Sequence, residues 1–147
     1  MRKVVLRWKI PSLKGAKELS RFLEVAERVE VLGHLAVSSE GVTQLAEIKM
    51  REGHSVGEIS DFDSFEVLEQ HEEDSDGVLV SLLCTHPLAV SAIEMSNIHV
   101  QPPYGIDAER GMELRLSGHS KSIRRFLALL RVILPPDKVS VQSLRGE

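Results

Sequence analysis

The sequence predicts an α+β fold in which the order strand, helix, strand, strand, helix, strand occurs twice. Three observations carry this. Gly111 to Leu144 reads as a strand, an amphipathic helix and a returning strand. The first strands of the two halves begin near Val4 and Val78, an offset of 74 in a chain of 147 residues. Between them lies Glu73-Asp74-Ser75-Asp76-Gly77, a turn by composition.

Each element has its own pattern. Val4, Leu6, Trp8 and Ile10 alternate with Val5, Arg7 and Lys9, giving a first strand that Pro11 ends. With Ser12 as cap, Ala16, Leu19, Phe22, Leu23 and Ala26 mark the inner stripe of a helix. Val29 to Val37 is a second strand. It turns through Ser38-Ser39-Glu40-Gly41 into a third, with Ala46, Ile48 and Met50 on one face. His54 to Ser60 supports only a turn or two of helix, weakened by Gly57. Phe65 and Val67 begin a fourth strand.

The second half opens with Val78 to Cys84, apolar almost throughout, as expected of a strand covered on both faces. Pro87 starts a helix that runs to about Asn97, Ile98 and Val100 form a strand, and Pro102-Pro103-Tyr104-Gly105 leaves it. Met112, Leu114 and Leu116 alternate in the next strand. Ile123, Phe126, Leu127, Leu130 and Leu134 then recur at helical spacing until Pro135-Pro136, and Val139 and Val141 mark the last strand. This strand, helix and strand predict a right-handed parallel crossover, with Phe126 and Leu130 against Met112, Leu114, Val139 and Val141. The order predicts two tandem ferredoxin-like, ACT-like units at 1–74 and 75–147, each an antiparallel sheet with its helices on one face, or the two sharing one core.

Composition narrows the chemistry. One cysteine, Cys84, excludes an internal disulfide and suits a reducing cytoplasm. No apolar run approaches the roughly 20 residues of a membrane span. The net charge of −4 is unevenly spread: no Lys or Arg occurs from Glu52 to Glu109, and Glu58 to Asp76 holds nine carboxylates. That middle repels phosphate backbones.

Catalytic and metal-binding groups do not converge. Cys84 beside Thr85 and His86 is a formal nucleophile, but a strand-end cysteine on an inner face behaves as a small hydrophobe. His34, His54, His71, His86, His99 and His119 are isolated, without ligand spacing. The acidic run reads as a solvated face. No glycine pattern cradles phosphate, and only Trp8 and Phe65 offer aromatic rings on strands, too few for RNA stacking. An acylphosphatase-type site needs a glycine-rich loop with an arginine after the first strand, where this chain has IPSLKGAK. No catalytic residue, metal or cofactor is expected, and no ligand-binding residue is assigned.

Three passages carry a family resemblance: RKVVLRWKIP, VEVLGHLAVSSEGVTQLAEIKMR and GMELRLSGHSKSIRRFLALLRVILPPDKVSVQSL. Their patterned order resembles the N-terminal regulatory region of archaeal bacterio-opsin-activator-type transcription regulators. There the closing unit leads into a DNA-binding helix-turn-helix. The resemblance implies a non-enzymatic, cytoplasmic regulatory domain for ligand sensing or dimerisation, with a possible small-molecule effector. The sequence ends at Gly146-Glu147, so DNA contact is expected only through a C-terminal helix-turn-helix that it lacks. The alternative is a stand-alone ACT-like small-molecule-binding module. Regulators of this kind usually act as dimers on two-fold sites, and the edge of the apolar Val29 to Val37 strand, or the sheet face beside it, is the expected homodimer contact.

Overall fold

The computed structural model describes residues 1–94 and 98–143. Nine strands join in one sheet, and every pairing in it is antiparallel. In chain order the elements are β1 (Arg2–Trp8), α1 (Ile10–Leu13), α2 (Lys17–Val25), β2 (Ala26–Val37), β3 (Val42–Met50), a 3₁₀ helix (Val56–Asp61), β4 (Phe65–Asp74), β5 (Gly77–Cys84), α3 (Pro87–Glu94), β6 (Ile98–Val100), β7 (Tyr104–Asp107), β8 (Gly111–Gly118), α4 (Ser120–Ile133) and β9 (Lys138–Ser143). Across the sheet they run β4-β5-β3-β2-β7-β8-β1-β9, with β6 also paired to β8.

This order overturns the expectation of two ferredoxin-like, ACT-like units. β1 lies between β8 and β9, in the company of the second half. β5 lies between β3 and β4, among strands of the first half. Each half has thus lent its opening strand to the other, and β2–β7 pairing joins everything into one sheet. The reason is physical: alternation tells which face of a strand is buried but not which strand lies beside it.

The individual elements follow their patterns more closely. Val4, Leu6 and Trp8 of β1 are buried, as are Val78, Val80 and Leu82 of β5. Ser81, on the other face of β5, is buried as well, as the apolar run predicts of a strand covered on both sides. β8 and β9 each pair antiparallel with β1, so they are parallel to one another, with α4 crossing between them. Phe126 and Leu130 of α4 are buried. Val139 and Val141, on the edge strand, are 44% and 47% exposed.

The differences are local. Ile10 and Pro11 belong to the short helix α1 rather than to a strand, because proline is tolerated in a first helical turn. Ser12 lies inside that helix and donates instead to Asp137 Oδ1 (2.9 Å). Tyr104–Asp107, expected as a loop, is the joining strand β7. Its pairing makes Arg28–Val31 interior, so the first three residues of the expected dimer edge, Val29 to Val31, are already paired. The predicted end of the third helix near Asn97 lies outside the described residues. The short turn of helix expected over His54 to Ser60 still covers its end of the sheet: Val56 and Ile59 are buried with Phe62, and Phe22 meets Phe62 and Phe65 edge to face at 4.8 and 4.7 Å.

Candidate ligand cavity

Because the sheet is continuous, its inner face runs beneath α2, α3 and α4 together, and space is left where they meet. A cavity of about 150 Å³ lies there. The sheet supplies Val29, Gln44, Leu82 and Leu116 to its wall, and the helices supply Phe22 and Phe126. Trp8 closes one side with its ring, while its indole N–H donates to the Leu134 carbonyl (3.0 Å). Among the described residues, none of the side chains lining the cavity carries a fixed charge.

The wall is almost wholly apolar, and Gln44 and Tyr104 bring its few polar atoms. Gln44 is buried between Val42 and Ala46, at an inward position of β3. Its Nε2 donates to the Tyr104 hydroxyl at 3.0 Å. His34 Nε2 lies 2.7 Å from the same hydroxyl. Burial raises the Tyr104 phenol to about 12, so it keeps its proton. Burial also lowers the His34 pKa, reinforced by the charge of His99, so the imidazole is held neutral. The result is an uncharged three-residue relay, with two of its members, Gln44 and Tyr104, in the cavity wall.

This burial gives a pH dependence whose sign is fixed. A histidine whose folded value lies below its unfolded value takes up a proton more readily when the chain unfolds. The fold keeps full stability above about 6.5 and loses it as pH falls through the lowered window. His86 acts in the same direction, chiefly through burial. Unfolding midpoints should therefore decline on the acid side of 6.5, and His34→Gln should remove part of that decline. A variant whose pH profile matches the wild type would show that His34 takes no share.

Of the groups weighed from sequence, Cys84 and His86 reach the cavity wall. Cys84 is buried, and the apolar surroundings push its thiol up to about 11, the opposite of nucleophile activation. The remaining histidines do different things. His54 contacts Glu58 (3.1 Å), His71 contacts Ser81 (2.6 Å), His99 is exposed, and His119 precedes α4 without a side-chain capping bond. Among the described residues no group of three His, Cys, Asp or Glu side chains is arranged to hold a metal. Trp8 and Phe65 face inward rather than out to a nucleic acid. The acidic run lies along β4, exposed at one edge of the sheet. No helix among the described residues is long and apolar enough to cross a membrane.

The relay is what sequence reasoning missed. Gln44 had a signal, since alternation sets it in line with Val42, Ala46 and Ile48 on an apolar face. Tyr104, the chain's single tyrosine, was hidden in a proline-rich stretch. No protein-family model matches the chain, and no curated protein matches it.

Proposed function

We propose that the chain is a non-enzymatic ligand-sensing domain whose cavity receives a small, mainly apolar molecule. The observation that carries this reading is the 150 Å³ of space in the middle of the core. Protein interiors are close-packed, with few voids larger than a water molecule. An engineered apolar cavity of about 150 Å³ in another protein stays dry and binds benzene or xenon. Filling such a space stabilises the folded state by mass action, which is a sensor's simplest output. The high thiol pKa of Cys84 argues against covalent chemistry there. The sequence resemblance supports placing this sensor in a cytoplasmic transcription regulator, acting on a helix-turn-helix; the alternative is a stand-alone small-molecule-binding module.

A native mass spectrum of purified protein tests this reading. We expect a fraction of the chain to carry an added small-molecule mass that denaturation releases. A spectrum of bare chain that added cyclohexanol or toluene leaves unchanged, with no thermal stabilisation by either, would contradict it.

We also propose a homodimer, now through β9 rather than β2. The two outer strands of the sheet differ in their guards. β4 is bulged twice and carries Glu66, Glu69, Glu72, Glu73 and Asp74, so two copies repel. β9 pairs in unbroken register with β1, exposes Val139 and Val141, and has Lys138 as its sole charge. Antiparallel pairing of two β9 strands about Ser140 sets Lys138 opposite Gln142 of the second copy, so like charges do not meet. The wild type should scatter light as a dimer and Val141→Lys as a monomer. A wild-type monomer at high micromolar concentration would rule the interface out.

A further inference from the structure

We infer that the cavity selects a neutral, ring-sized molecule bearing one hydroxyl group, and that Tyr104 is the residue that reads the hydroxyl. This rests on the cavity being a ligand site and adds the class of ligand. Size sets the first limit, because about 150 Å³ suits a body of roughly six carbons.

Charge sets the second. Among the described residues, none of the lining side chains is Lys, Arg, Asp or Glu, so a buried carboxylate or ammonium would have no fixed counter-ion. The titratable groups at the wall favour their neutral forms: burial lowers the pKa of His86 and of His34 behind Tyr104, and raises that of Tyr104.

The hydroxyl follows from counting hydrogen-bond capacity. A tyrosine oxygen offers one donor and two acceptor positions. Gln44 Nε2 at 3.0 Å uses an acceptor position. His34 Nε2 at 2.7 Å uses either the donor or the second acceptor, according to its tautomer. One capacity of Tyr104 remains in both cases, an acceptor in the first and a donor in the second. An alcohol or phenol satisfies both cases, since its hydroxyl donates and accepts. A hydrocarbon satisfies neither, and a carboxylate brings an unpaired charge.

Trp8 is the chain's single tryptophan and lines the cavity, so its fluorescence reports occupancy directly. Cyclohexane, cyclohexanol and cyclohexanecarboxylate are the probes. Water holds the alcohol far more strongly than the alkane, so a purely apolar chamber would bind the alcohol more weakly. The inference expects cyclohexanol to bind at least as tightly as cyclohexane, and the carboxylate to leave the fluorescence unchanged. It also expects Tyr104→Phe to weaken cyclohexanol by about two- to tenfold, the range of one hydrogen bond, while cyclohexane binds as before. Cyclohexanol binding more weakly than cyclohexane, or a cyclohexanol affinity untouched by Tyr104→Phe, would overturn the inference and leave the cavity a ligand site. Carboxylate binding equal to the alcohol's would likewise overturn it. If Tyr104→Phe fails to fold, the wild-type order of the three probes still decides. Binding by none of them would remove the cavity reading itself, and this inference with it.

Discussion

Gly105→Ala should strongly destabilise the protein, because β2 and β7 meet where no side chain fits. A Cβ on Gly105 would stand 1.8 Å from the Val29 carbonyl oxygen and 2.8 Å from its carbon. Both atoms are backbone, so no rotamer change relieves the overlap; a strand must move. Gly105 lies opposite Glu30 on one side and Glu113 on the other, where, among the described residues, β2–β7 pairing joins the β4-β5-β3-β2 group to the rest of the sheet. Overpacking typically costs about 1–3 kcal/mol and sometimes more, and a backbone overlap at a join belongs at or beyond the top of that range. Gly33→Ala is the control, since a Cβ there meets nothing within 4 Å. It should shift stability by less than about 0.5 kcal/mol. Equal urea midpoints for the two variants would show that the seam is not built this way.

Phe126→Ala should be the second large loss. The ring is 2% exposed and is shared by the core and the cavity wall. Truncating a buried phenylalanine costs about 3–5 kcal/mol, a large part of the roughly 5–15 kcal/mol that holds a domain together. Val132, on the same helix, is 83% exposed, and Val132→Ala should change stability by about 0.5 kcal/mol or less. Together they test which face of α4 meets the sheet. Similar unfolding midpoints for the pair would mean that α4 does not pack through Phe126.

Much of the local structure was legible, and the reasons are specific. Val4, Leu6 and Trp8 alternate because β1 has one buried face, and the α4 stripe recurs at helical spacing because one side of the helix is covered. Neighbours were not legible. Nothing in the alternation of β1 says that β8 and β9 flank it rather than strands of its own half. β5 did carry a hint, since a strand apolar on both faces belongs inside a sheet, and it lies between β3 and β4. β7 was missed because it has four residues, follows two prolines and buries only Ile106 fully. Its Gly105 looks like a loop glycine in sequence, yet it is required by close approach of two strands.

The candidate site was less legible than the fold. A cavity depends on how elements from both halves converge, and that convergence follows from the exchange of β1 and β5. Gln44 alone stood out in principle, as a polar residue on an apolar face. His34 and Tyr104 are 70 residues apart, and only the pairing of β2 with β3 and β7 brings them to the same place.

Diffraction from crystals of the protein under xenon pressure would show whether the core holds a real and fillable space. Xenon enters dry apolar cavities without needing any polar contact. One strong xenon peak is expected between Phe22, Leu82 and Leu116, with Trp8 beside it. Continuous side-chain density through that volume, with no xenon bound there, would contradict it.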